Sequence, residues 1–279
     1  MQVGDVELHL IPDGFQRADG GGLFGLVPRV LWEKKHPADE LNRVAMRINC
    51  LLIKDGEHTI VVDTGYGSKL SERGRTILGI ERTGELPQRL REHGVDPSQV
   101  DVVIDTHLHY DHCGGNTVRE GGRNVPTFPN ATYIVQEGEW KDANNPNERT
   151  RATYLPENLL PIQEAGQLRL IAGDTQITPH VRCMVTPGHT PHHQCVLIES
   201  QGQKAFYLAD LAPFAVHIER LAWVPAYDVE PMRTIDTRRE IQRWAVEEQV
   251  LLIFDHDPDI GMGYLRYDSG RYWVEPADS

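Results

Sequence analysis

The sequence predicts an α/β protein in which two sheets pack face to face with helices on the outside. Two observations carry this. Short apolar runs alternate with stretches of helical periodicity, and they do so as two comparable halves. Four of the runs then end in metal-ligand side chains: the segment Thr106–Gly115, His189, Asp210 and His256. A chain of 279 residues can form one large domain or two small ones. No repeat of solenoid period and no low-complexity segment divides it, so residues 1–279 are read as one domain.

The elements follow in order. Residues 3–11 alternate loosely and predict a first strand. The glycine-rich loop Gly20–Pro28 carries Phe24 and Leu26 and leads to Trp32, apolar residues that predict a covered partner surface, a substrate pocket or packing on their own domain. Residues 46–54 and 58–62 form a strand pair turned at Asp55-Gly56, the second strand ending in Asp63-Thr64-Gly65. Residues 84–93 predict a helix burying Leu86 and Leu90, stopped by Gly94. Residues 100–104, 132–135, 168–171, 181–185, 196–198 and 205–208 predict strands, with a polar stretch over 137–160. Residues 237–249 predict a helix, N-capped by Asp236 or Thr237 and burying Ile241, Trp244 and Ala245; the strand 250–254 follows.

The most informative stretch is Thr106-His107-Leu108-His109-Tyr110-Asp111-His112-Cys113-Gly114-Gly115. His107 and His109 are two apart, so on an extended segment their rings point the same way. Asp111 and His112 follow where the chain must turn, and can face a second point. A cluster divided into two pairs suggests two metals. Gly114 and Gly115 suit a close backbone approach and the start of a helix. Cys113 is read as a small packing residue that does not ligate. Asp63, at a strand end beside a glycine, is expected to orient the site from behind the ligands.

Composition narrows the partners. Hydrophobic content of 39% and charged content of 25% are ordinary for a soluble globular protein. The formal net charge of -13 disfavours nucleic acid and anionic membrane surfaces. Cys50, Cys113, Cys183 and Cys195 form no C-x-x-C pair, and no secretory or membrane-spanning segment is evident. A cytoplasmic protein with reduced thiols is expected.

In combination, H-x-H-x-D-H at 107–112, the histidine of Thr186-Pro187-Gly188-His189-Thr190, Asp210 after a strand and the late His256 resemble the metallo-β-lactamase superfamily over nearly the whole chain. Asp63-Thr64-Gly65 corresponds to that superfamily's first motif. The resemblance implies a four-layer αβ/βα sandwich with a dinuclear site along the edge between the sheets. It implies one divalent ion on His107, His109 and His189, a second on Asp111, His112 and His256, and Asp210 bridging both. Zinc is the expected metal, with iron, manganese or cobalt as alternatives. The implied reaction is attack of a metal-bridging hydroxide on an ester carbonyl, Asp111 helping to pass a proton to the leaving alkoxide.

Residues 106–116, 186–194, 210–213 and 223–228 are similar to the N-acyl-homoserine-lactone lactonases of quorum quenching, so a small-molecule lactone is the expected substrate and a homodimer the expected assembly. The diiron flavoprotein branch carries glutamate where His109 stands. Many β-lactamases carry cysteine, or no bridging carboxylate, at Asp210. Nuclease branches need a basic surface. One departure is notable: some lactonases place a substrate-assisting tyrosine where this chain has Pro213, which leaves His217 and Tyr227 as candidate substitutes. Phe24, Leu26, Trp32 and Phe214 are candidate walls of an acyl pocket, or else core or dimer contacts. The competing readings are a glyoxalase II-like thioesterase, an organophosphate triesterase and a mononuclear iron persulfide dioxygenase.

Overall fold

The computed structural model describes residues 1–277. One sheet has the order Gln2–Val3, Val6–Asp19, Arg43–Asp55, His58–Val62, Val102–Ile104, Thr132–Gln136, Leu168–Ile171, with Ile80–Arg82 paired to Val6–Asp19. The second runs Thr175–Gln176, Val181–Val185, Gln194–Ser200, Gln203–Tyr207, Leu251–Ile253, Met262–Asp268, Arg271–Pro276. Both mix parallel and antiparallel pairs.

The strand Arg43–Asp55 shows why two sheets and two helical layers result. Its residues alternate sides. Leu51 and Ile53 join Ile60, Val62 and Ile104 against Val196, Ile198 and Ile253 of the facing sheet. Cys50 and Leu52 point the other way, onto Leu86 and Leu90 of the helix Leu86–Glu92. Burial on both faces explains the unbroken apolar run. The second sheet does the same, packing Phe206, Leu252 and Phe254 against Ile241 and Ala245 of the helix Pro231–Glu247. The predicted four-layer α/β sandwich is the observed one.

Several elements depart from expectation. The first long strand continues to Asp19, and residues 20–24 form a short helix, because Asp19 accepts hydrogen bonds from the amides of Gly21 and Gly22. The last long helix begins at Pro231, so Asp236 and Thr237 lie inside it. Its buried face includes Thr234, Arg238 and Gln242, polar residues that hide the helical period. The polar stretch 137–160 contains the helix Glu137–Asn144 and the start of another, Pro156–Glu164. A helix over Glu72–Leu78 and hairpins over 117–126 and 262–276 also lie outside the sequence reading. No helix among the described residues is long and apolar enough to cross a membrane.

Candidate metal centre

Parallel pairing brings the predicted residues together. His58–Val62, Val102–Ile104 and Thr132–Gln136 run in one direction, so Asp63, the His107–His112 turn and Glu139 emerge at the same end. In the facing sheet Gln203–Tyr207 and Leu251–Ile253 are also parallel, delivering Asp210 and His256 side by side. Asp63 and Ala209, next to Asp210, both adopt left-handed backbone, φ 56° and 45°. That conformation costs about 1–3 kcal/mol per non-glycine residue and marks turns that the surrounding fold imposes.

Gly114 and Gly115 serve the close approach expected of them. A Cβ on Gly114 would lie 2.3 Å from the Tyr66 carbonyl oxygen, and one on Gly115 would lie 2.1 Å from that of Thr64. They form a single turn of 3-10 helix after the short helix Tyr110–Cys113. Cys113 is buried, its thiol on the Leu108 carbonyl, away from the histidines.

Two groups of donor atoms result. His107, His109, His189 and Asp210 each place one within 4.8 Å of the others; His112, Asp210, Asp255 and His256 do likewise. In the first, His189 Nε2 lies 3.0 Å from both His109 Nδ1 and Asp210 Oδ2. In the second, His256 Nε2 lies 3.2 Å from both His112 Nε2 and Asp210 Oδ1. Asp111 Oδ2 sits 3.9 Å from Nε2 of both His112 and His256. Two ligands each about 2.1 Å from one ion at a tetrahedral angle stand roughly 3.4 Å apart, so these spacings suit donors around a shared cation. His107 Nε2 and Asp210 Oδ1 are buried with no hydrogen-bond partner, as atoms reserved for a metal should be.

The far side of each ring is held. Asp63 Oδ2 accepts from His112 Nδ1 at 2.9 Å, while its Oδ1 accepts the Thr106 amide at 2.8 Å. Asp228 accepts from His189 Nδ1 at 3.0 Å, and the Arg47 carbonyl from His256 Nδ1 at 2.8 Å. A ring that donates through Nδ1 turns a free Nε2 to the centre. Burial opposes charge on His189 and His256, but Asp210 with Asp228 lifts the first to about 10, and Asp255 with Asp210 lifts the second to about 9. Burial, with the neighbouring imidazoles, holds His107 and His109 well below the usual histidine range.

Above the centre opens a cavity of about 500 Å³, floored by His109, Asp111, His189, Asp210 and His256. Its wall includes Tyr66, Tyr110, Pro213 and Tyr227 together with the apolar Leu23, Leu41, Met46, Ile77 and Leu78, of which Leu41 and Ile77 are exposed. Of the expected pocket residues, Tyr227 lies on this wall. Phe24, Trp32, Phe214 and His217 are corrected to core: Phe24 stacks on Trp32 at 4.8 Å and meets the Phe214 ring edge-on at 6.2 Å. The short helix at residues 20–24 turns Phe24 inward and leaves Leu26 fully in solvent. Both ring nitrogens of His217 are occupied, Nδ1 accepting the Phe214 amide and Nε2 donating to the Leu23 carbonyl.

The Metallo-beta-lactamase superfamily model matches residues 43–260, more than half of the chain. The chain belongs to the metallo-beta-lactamase superfamily. With that membership stands the reading of a metal-dependent hydrolase. Within the superfamily the chain is similar to an N-acyl homoserine lactonase of a Bacillus species, 27% identical over 75% of this chain and 80% of that one. An N-acyl homoserine lactonase of Bacillus cereus is 26% identical over 77% and 83% of the two chains. A probable metal-dependent hydrolase from Staphylococcus aureus superposes with TM-score 0.90 over the whole of both chains at 29% identity. A dizinc quorum-quenching lactonase, solved with a product bound, shares the superfamily fold at TM-score 0.84 and 21% identity, over 100% of this chain and 97% of that one.

Three residues at the centre escaped the sequence reading. Asp228 and Asp255 adjoin residues that were singled out, so proximity was a usable signal. Glu139 lay in a stretch read only as polar, and nothing local marked it.

Proposed function

We propose that this hydrolase opens lactones bearing an apolar substituent, N-acyl-homoserine lactones or close relatives. The observation that carries the proposal is the placement of both donor groups, joined through Asp210, in a cavity whose lining also includes the apolar Leu41, Met46, Ile77 and Leu78. One divalent ion would be held by His107, His109, His189 and Asp210, and another by Asp111, His112, His256 and Asp210. Zinc is the first candidate and iron, manganese or cobalt the alternatives. When bound, such ions supply Lewis acidity that polarises an ester carbonyl and makes water a nucleophile at neutral pH.

The chain's own groups do the rest. Leu41, Met46, Ile77 and Leu78 hold the substituent. Tyr227, whose phenol burial and the nearby Asp111 and Asp19 push up to about 12, stays protonated and donates toward the substrate from the wall that Pro213 shares. Asp111 takes the proton from the attacking water oxygen as the C–O bond to the ring opens and passes it to the leaving alkoxide, emerging as the carboxylate again. The strands of both sheets share one core, which supports reading the chain as a single domain.

A thioesterase acting on glutathione conjugates would need free cations. Arg17, Arg43 and Arg149 line the cavity, but Arg17 pairs with Glu81, Arg43 with Asp39, and Arg149 with the carbonyls of Ala226 and Asp228. The lactone reading therefore takes precedence. The test is turnover of a panel of acyl-homoserine lactones, glutathione thioesters and phosphotriesters by metal-quantified protein. Acid release from the lactones is expected, and its absence across short and long acyl chains would refute the reading.

A further inference from the structure

Asp255 directly precedes His256, and its side chain is 1% exposed with neither carboxylate oxygen receiving a hydrogen bond. A buried carboxylate is costly unless paired or bound to a cation. Other buried carboxylates around the centre accept at least one hydrogen bond, Asp63 from Thr106 and His112, Asp228 from His189 and Asp105 from Asn116, while the shared donor Asp210 also leaves Oδ1 unpartnered. Asp255 Oδ2 instead lies 3.1 Å from His256 Nε2, in a geometry that makes no hydrogen bond, and belongs with His112, Asp210 and His256 to one of the two donor groups.

Its direction is fixed by the backbone. The Asn49 amide donates to the Asp255 carbonyl at 3.0 Å and the Arg47 amide to that of His256 at 3.1 Å, tying both residues to the strand Arg43–Asp55. Because His256 Nδ1 is spent on the Arg47 carbonyl, its free Nε2 and the open Asp255 oxygen stand side by side, as neighbouring ligands of one cation do.

We propose that Asp255 is a direct ligand of the second metal ion, an assignment that rests on the two-metal reading above. That ion would then have three carboxylates (Asp111, Asp210, Asp255) and two imidazoles, against three imidazoles and one carboxylate for the first. Such a donor set accommodates zinc, iron or manganese.

Two measurements on the full chain test it. Zinc-loaded wild type and Asp255→Asn are titrated with a chelator while bound zinc is counted. Loss of an outer partner typically weakens a metal site 10–100-fold. A drop in affinity for one of the two ions of more than about 100-fold supports direct ligation; any smaller change overturns it. The second measurement needs no variant: in a crystal of the zinc-loaded wild type, an Asp255 oxygen within about 2.5 Å of the anomalous peak supports the assignment, and a longer distance overturns it. Fewer than two zinc ions on the wild type would instead remove the two-metal reading beneath it.

Discussion

Glu139 accepts a hydrogen bond from the Thr190 hydroxyl at 2.7 Å, and its other oxygen takes the Leu108 amide at 3.1 Å and the Tyr154 hydroxyl at 3.0 Å. One buried carboxylate thereby ties the turn carrying His107 and His109 to the turn carrying His189. Glu139→Ala leaves three buried donors without an acceptor, each worth about 1–3 kcal/mol. A loss of several kcal/mol in chemical denaturation is expected, with a smaller loss for Glu139→Gln, which keeps one oxygen. Equal stability of wild type and the alanine variant would show that the tie carries no energy.

Asp210 faces both donor groups, 3.0 Å from His189 Nε2 through one oxygen and 3.2 Å from His256 Nε2 through the other. Asp210→Asn is expected to lower lactone turnover at least about 100-fold and to reduce the metal retained on desalting, since it removes a shared ligand and not one outer partner. Turnover within tenfold of wild type would exclude a bridging role.

Substrate length separates wall from core. Leu41 and Ile77 are 67% and 71% exposed at the cavity mouth, so Leu41→Asp or Ile77→Asp should raise KM for long acyl chains more than for short ones. Each methylene that loses its contact is worth about 0.8 kcal/mol, roughly fourfold in binding. Phe24→Ala should act otherwise, costing about 3–5 kcal/mol of stability with no change in the ranking of chain lengths. A uniform KM effect for Leu41→Asp would place the substituent elsewhere.

Metal uptake should release protons. In protein stripped by a chelator, His189 and His256 are raised to about 10 and about 9, so both are charged at neutral pH. Their charged forms stabilise the stripped fold fully below the ordinary histidine range, and that stabilisation is lost as pH rises through 9 to 10. Ligation needs the neutral rings. Metal affinity should therefore climb with pH up to that range, and calorimetry in two buffers of different ionisation enthalpy should show proton release at pH 7. Buffer-independent heats would contradict it.

The sequence by itself determined the residues that reach the centre. His107, His109, Asp111 and His112 are close in the chain, and His189, Asp210 and His256 each follow a short apolar strand, so local spacing and strand-end position were enough to single them out. It also determined the layers, because strands apolar on both faces demand cover on both sides. The tertiary structure alone decided what surrounds these residues. For Phe24 the sequence left pocket wall, core and dimer contact open, and the short helix capped by Asp19 put it in the core, while Leu41 and Ile77 became the cavity mouth by being left uncovered. Glu139 and Asp255 gained their roles from residues distant in the chain, Thr190 for the first and His112 and Asp210 for the second. Burial and side-chain direction depend on which surfaces close over a residue, and no local pattern of apolar and polar residues encodes that.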